Sequence, residues 1–327
     1  MQAVGYNGIK FVNFEKKIAN PLERDLLVEI QAISINPIDT KIKQTVVKKQ
    51  ETPVILGFDA CGIVRKVGSQ TSLFKVGDEV FYAGDMTRDG SNATHQLIDE
   101  RIVGIKPTSL NFKQAAALPL TSITAWESLF HRLKISAEDQ NKTLLLIGAA
   151  GGVGSMAIQF AKQVIGINVI ATASRDESRD WCKQMGADTV IDHCNLAEQF
   201  RANKLTAPDF ILCMGNPDEY FEIMAQIIAP QGSICLLANA TRNYDINLLK
   251  AKSITLVWEM MFTRSMFTTD DMVKQHELLN QVSNLIDNKT IVTTMTENFS
   301  PINKENITKA HQIIEQGSMI GKLVISV

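Results

Sequence analysis

The residues with the clearest chemical potential lie together: Gly148-Ala149-Ala150-Gly151-Gly152-Val153-Gly154. An unbroken apolar run, Thr143-Leu144-Leu145-Leu146-Ile147, precedes them and reads as a strand buried on both faces. Val153, Met156, Ala157, Phe160, Ala161 and Val164 follow at spacings of three and four, one helical stripe. A glycine-rich loop in that context suits a pyrophosphate. Glycine lets the backbone come close, and the helix N-terminus presents unpaired N–H groups and a positive dipole end. Ala150, Gly151, Gly152 and Val153 are the expected contacts.

The tip of the next strand separates one nicotinamide cofactor from the other. An NAD site usually carries Asp or Glu there, to bind the ribose 2′-hydroxyl. Here the strand ends Ala171-Thr172-Ala173-Ser174-Arg175, without an acid. Ser174 can donate a hydrogen bond and Arg175 can fork onto a phosphate, so the pair suits NADPH. Arg179, one turn on, would add charge.

Other chemistries find little support. The five cysteines, Cys61, Cys182, Cys194, Cys213 and Cys235, are dispersed, with no zinc-type pair. No Gly-x-Ser-x-Gly elbow and no Ser-His-Asp or Cys-His arrangement is visible. Tyr6-Asn7-Gly8-Ile9-Lys10 matches a Tyr-x-x-x-Lys pair of short-chain dehydrogenases, but it precedes the glycine loop and contains a glycine. With 33 Lys and Arg against 35 Asp and Glu, the net charge of −2 offers no footprint for nucleic acid or an anionic membrane. No apolar run approaches the ~18 residues of a membrane helix. The first residues do not read as a signal peptide, so the expected location is cytoplasmic.

The elements that must position these residues fall into two textures. Up to about residue 121 short strands alternate with tight turns, as in a compact barrel: Val28 to Ala32 alternates apolar and polar, and residues 53–81 mix apolar runs with glycine. From residue 143 strand and helix alternate: strands at 143–147, 169–171, 189–191, 210–212, 233–237 and 254–258, with helices at 176–185, 196–204 and 218–228 among them. This pattern predicts a doubly wound parallel sheet. A helix is expected at 122–133. The tail predicts a helix over 270–288, a strand over 291–295, a helix over 304–316 and a strand over 322–327. The length of 327 residues fits two domains.

Gly-x-x-Gly-Gly-Val-Gly resembles the loop of the medium-chain dehydrogenase/reductase superfamily, in its zinc-independent quinone oxidoreductase branch. Similar segments run along nearly the whole chain: Ser34-Ile35-Asn36-Pro37-Ile38-Asp39-Thr40, the stretch from Leu56 to Val80, residues 115–126, and Gly321-Lys322-Leu323-Val324. The subgroup it is most similar to is the bacterial "zinc-type alcohol dehydrogenase-like" proteins. The resemblance implies an α/β chain with a GroES-like β-barrel domain at 1–121 and 262–327 and a Rossmann NADP-binding domain at 122–261.

It also implies roles. Where zinc alcohol dehydrogenases carry their ligands, this chain has Asn36, Phe58 with Asp59, and Leu120. Asp59 alone cannot hold zinc, so no metal is expected. Asn36 would face the acceptor oxygen, and Lys41 would stabilise negative charge or guide a proton. The cofactor would meet Thr124, His193, Asn216, Leu237, Ala238, Asn239, Phe262, Thr263 and Lys322. Apart from the resemblance, Met260, Met261 and Met266 read either as helix core or as an adaptable apolar pocket or dimer surface. The implied activity is NADPH-dependent hydride transfer to a quinone or α,β-unsaturated carbonyl. Alternatives are a zinc-type alcohol dehydrogenase and a non-catalytic NADPH-binding redox sensor. A homodimer joined through the strand near Thr255 to Trp258 is also implied.

Overall fold

The computed structural model describes residues 1–327. The chain divides into two compact units, Met1–Ile123 with Phe262–Val327, and Thr124–Met261. The first crossing falls two residues beyond the boundary expected from sequence.

In chain order the first unit begins with β1 (Gln2–Tyr6), β2 (Phe11–Glu15), β3 (Asp25–Ser34), α1 (Pro37–Thr45), β4 (Val54–Ile55) and β5 (Asp59–Val67). It continues with β6 (Glu79–Tyr82), β7 (His95–Asp99), β8 (Val103–Ile105), α2 (Phe112–Ala116) and α3 (Pro119–Trp126). The second unit carries β9 (Thr143–Ile147), α4 (Gly152–Phe160), β10 (Asn168–Thr172), α5 (Asp176–Met185), β11 (Thr189–Ile191) and α6 (Leu196–Ala202). Then come β12 (Phe210–Cys213), α7 (Pro217–Ile227), β13 (Ser233–Leu236) and β14 (Thr255–Trp258). The first unit closes with α8 (Thr263–Phe267), α9 (Lys274–Asp287), β15 (Met295–Phe299), α10 (Lys304–Glu315) and β16 (Lys322–Ser326).

In the first unit a sheet ordered β15-β16-β3-β5-β6-β8, with β7 also on β3, wraps a core of Leu26, Val28, Ile30, Val64, Tyr82 and Leu323. β3 is the hub. Its first half pairs β7, its last residues pair β16, and β5 runs along its whole length. Ser34 therefore lies opposite both Asp59 and Val324, which gathers the end of β3 and the starts of β5 and β16 at one place.

The second unit is a six-stranded, wholly parallel sheet ordered β11-β10-β9-β12-β13-β14. Counted within the unit this is 3-2-1-4-5-6, the dinucleotide-binding order, whose direction reverses beside its first strand. Leu145, Ile147, Ile211, Phe221 and Ile234 build the core. The helix expected at 122–133 is α3 running into a π-helical stretch, Glu127–Arg132. No helix is long and apolar enough to cross a membrane.

The tail departs from expectation twice. The helix expected over 270–288 spans only Lys274–Asp287, because the preceding residues form turns in which Asp271 binds Arg264 and Thr269. The expected 291–295 strand lies later, at Met295–Phe299. Ile291 and Thr294 are buried outside any strand, whereas the true strand is mostly exposed and parallel to β16. Its polar surface gave no apolar signal.

His311 on α10 is 1% exposed, packs its ring at a tilt of 54° against Phe11 with centroids 4.8 Å apart, and has no hydrogen-bond partner on either ring nitrogen. Burial lowers its pKa to about 3, with the Lys43 charge contributing in the same direction. An unfolded histidine titrates near 6.5, so the unfolded chain binds the extra proton between these values. The stability contributed by neutral His311 is complete above about pH 6.5 and fades as pH falls towards 3. His311→Leu is expected to gain on the native chain by about 2–4 kcal/mol on going from pH 7 to pH 4. Urea unfolding of both at several pH values tests this, and parallel profiles would refute it.

Candidate functional site

In the second unit β9 delivers the glycine loop at the carboxyl edge of the sheet. Gly148 N–H donates to Thr172 Oγ1 at 2.9 Å, which ties the loop to β10. Gly151 caps α4 and Gly152 begins it. Gly154 packs against the loop so closely that a Cβ there would lie 2.3 Å from the Ala149 carbonyl oxygen. Ser155 Oγ donates to Gly151 O at 2.8 Å and accepts from Trp181 Nε1 at 2.7 Å, so α5 holds the same turn. Ala150, Gly151, Gly152 and Val153 remain half-buried, with the first-turn N–H groups of α4 behind them.

Strands that run parallel end on one edge, and the other expected contacts of this unit follow those ends. Ser174 and Arg175 are exposed just past β10. The Arg175 backbone is clipped to Ser178: its N–H donates to Ser178 Oγ, whose hydroxyl donates back to Arg175 O. Arg179 behaves differently from the expectation. Its guanidinium donates to Ala173 O and Val190 O, so these donors brace β10 and β11. His193 follows β11, half-buried, with Nδ1 3.6 Å from Asp192 Oδ1. It borders a cavity of about 380 Å³ shared with Arg201, Glu219, Tyr220 and Ile223. Asn216 caps α7 through Oδ1, which accepts from Asp218 N–H. Leu237 and Ala238 are half-buried and Asn239 exposed beyond β13, while Thr124 is buried in α3.

In the first unit the gathered strand ends form a buried polar cluster. Asn36, Asp39, Asp59 and Lys322 are at most 4% exposed. Lys322 Nζ donates to Asn36 Oδ1 at 2.5 Å and Ile35 O at 3.1 Å, and sits 3.3 Å from Asp59 Oδ2. Asn36 Nδ2 donates to the same Asp59 oxygen at 2.8 Å, and Leu120 N–H donates to Asp59 Oδ1 at 2.7 Å. Asp39 Oδ2 accepts from Asn36 N–H at 2.7 Å as part of a capping box at the start of α1. Burial pushes the Asp39 carboxyl up to about 7. Burial also raises Asp59 and lowers Lys322, and the contact between opposite charges opposes both shifts.

Two expectations are corrected by this geometry. Asn36 is 1% exposed and both ends of its amide are engaged, so it is placed to brace the cluster rather than to hold an acceptor oxygen. Lys322 has three protons and three protein acceptors, leaving none for a cofactor. Lys41 is exposed on α1. Phe262 is buried with its ring 4.7 Å from Phe58, and Thr263 opens α8 half-buried. Met261 is buried, whereas Met260 and Met266 are about two-fifths exposed. The part of Lys322 and Asp39 in the cluster escaped sequence reasoning. The local Asn-Pro-x-Asp cap signalled Asp39, but nothing local ties position 322 to position 59.

Comparison with known proteins agrees with this architecture. Residues 23–122 match the alcohol dehydrogenase GroES-like domain model, and residues 152–281 match the zinc-binding dehydrogenase model. A Staphylococcus aureus (strain MSSA476) protein named zinc-type alcohol dehydrogenase-like is 44% identical over 98% of this chain and 96% of its own. The 2-methylene-furan-3-one reductase of Solanum lycopersicum is 29% identical over 98% of this chain and 76% of its own. The Escherichia coli quinone oxidoreductase complexed with NADPH superposes with a TM-score of 0.85, at 25% identity, covering 100% of both chains.

The zinc of those names does not fit here. The place the resemblance implies for it holds the Asn36 amide, the Asp59 carboxylate and the buried Lys322 ammonium, with the Asp39 carboxyl bound to Asn36 N–H; none of these is a thiolate or imidazole, and the ammonium repels a second cation. A dinucleotide does fit the glycine loop, where a Cβ on Gly151 would meet nothing closer than Gly148 O at 4.0 Å. With both halves matched in order and a 44% identical relative spanning 98% of it, the chain belongs to the medium-chain dehydrogenase/reductase family of oxidoreductases.

Proposed function

We propose that this protein is an NADPH-dependent reductase that passes hydride to a quinone or an α,β-unsaturated carbonyl without zinc. The observation that carries the reading is the end of β10, where exposed Ser174 and Arg175 stand and no acid does. A 2′-phosphate suits a guanidinium; a carboxylate would repel it. The E. coli quinone oxidoreductase and the tomato furanone reductase bear quinone and enone chemistry in their names, which supports the acceptor class.

When bound, NADPH supplies the hydride. The residues at 150–153 and the N-terminus of α4 hold the pyrophosphate, and Ser174 with Arg175 hold the 2′-phosphate. His193, Asn216, Leu237, Ala238 and Asn239 line its path along the strand ends, with Thr124 of α3 as a further contact. The acceptor oxygen gains negative charge and takes a proton from solvent; Lys41 stabilises that charge. A homodimer through edge strand β14, where Trp258 is 49% exposed, completes the proposal.

The test is oxidation of NADPH and of NADH against quinones, enones and aldehydes in metal-free buffer. The expected result is turnover with NADPH and a quinone or enone, unchanged by chelator. Failure of every acceptor, or alcohol oxidation that needs added zinc, would refute it.

A further inference from the structure

We infer that Lys322 is the chain's own replacement for a metal ion: its buried ammonium holds Asn36, Asp59 and the turn into α1 together, and so positions α1 and Lys41. Three distant segments meet there. Asn36 follows β3, Asp59 starts β5, and Lys322 starts β16. Each brings a group that is poorly placed alone. Asp59 is a fully buried carboxylate, Lys322 a buried ammonium, and Ile35 O and Asn36 Oδ1 are buried acceptors. An uncompensated charge in such a place is strongly unfavourable. Together they close. Asp59 accepts from Asn36 Nδ2 and Leu120 N–H and faces the ammonium, whose remaining protons go to Ile35 O and Asn36 Oδ1.

At the ligand places the resemblance implies, a metal ion would tie the segments of Asn36, Asp59 and Leu120 together by coordination. Here one cationic side chain does so by hydrogen bonds and charge, and it arrives covalently attached to β16. It also holds the Asn36 amide, whose Oδ1 accepts from Lys322 while its Nδ2 donates to Asp59. Asn36 in turn caps α1 through its N–H bond to Asp39. Lys322 is therefore a positioning residue, and α1, which bears Lys41, is what it positions.

The test compares Lys322→Met, Asp59→Asn and the double variant in the full chain. Lys322→Met strands the Asp59 carboxylate and is expected to lower the thermal midpoint by roughly 10 °C. Adding Asp59→Asn removes the stranded charge and should restore at least half of that loss. A double variant at the sum of the two single losses would overturn the inference. Protein purified from zinc-supplemented culture should hold less than about a tenth of an equivalent of zinc; one equivalent would overturn it as well. The placement of α1 also rests on the reductase reading and has its own readout. Well below its unfolding midpoint the double variant should show an acceptor KM raised about tenfold, with the NADPH KM unchanged. Equal KM values would remove the positioning role and leave the ion pair. Absence of any turnover in the native chain would count against the reductase reading alone, because the midpoints and the metal content need no turnover.

Discussion

Gly154→Ala is expected to lose cofactor binding and stability together, whereas Gly151→Ala is expected to lose binding alone. The difference lies in what each added methyl meets. At Gly154 it would sit 2.3 Å from Ala149 O and 2.5 Å from Ala149 Cα, and backbone cannot rotate aside. Helix α4 must then move off the end of β9. Overpacking of this kind costs about 1–3 kcal/mol, and the shift takes the first-turn N–H groups away from the pyrophosphate. At Gly151 the methyl would point into open space, its nearest neighbour Gly148 O at 4.0 Å, with the backbone in an ordinary extended conformation. The fold keeps its stability, but the methyl stands where a phosphate must approach the loop. NADPH affinity, read by fluorescence titration, should fall at least tenfold in both variants, and urea midpoints should separate them. Unchanged NADPH binding in Gly151→Ala would mean that the loop is not the phosphate site.

Arg175→Ala is expected to weaken NADPH binding by about 10–100-fold and to leave NADH binding within about threefold. Hydrogen bonds to a charged group are worth about 1.5–3 kcal/mol each, which corresponds to that range. Only NADPH carries the 2′-phosphate, so only NADPH should register the change. Arg179→Ala is the informative contrast. Its guanidinium binds the carbonyls of Ala173 and Val190, so its loss should loosen the ends of β10 and β11 and weaken both cofactors alike. Isothermal titration of both variants with both cofactors distinguishes the two. Equal losses for NADPH and NADH in Arg175→Ala would refute the assignment of the 2′-phosphate to the tip of β10.

How far the chain could be read from sequence depended on whether a signal was local. The run Thr143 to Ile147 reads as a buried strand because five residues of one character need only be counted, and β9 has those bounds. The helix ending at Met185 was legible for the same reason, through an amphipathic stretch stopped by Gly186. The strand Met295–Phe299 was not. It is exposed and pairs in parallel with β16, so its existence depends on a partner rather than on its own residues. From spacing alone Arg179 would add charge beside Arg175; the carbonyls that hold it belong to the ends of two strands.

By itself the sequence determined the alternation of strand and helix, the glycine loop and the absence of an acid from Ala171 to Arg175 at the strand tip. Each is a statement about neighbours within a few residues, where backbone geometry and periodicity rule. Through its family resemblance it also implied that Asn36, Phe58 with Asp59, and Leu120 stand where zinc relatives carry ligands. Only the tertiary structure decided what those residues do instead. Asp59 and Lys322 are 263 positions apart (322 − 59), and their charges meet because β3 pairs with both β5 and β16. Strand register brought them to one place, and burial made their pairing obligatory, since neither charge is tolerated alone once buried.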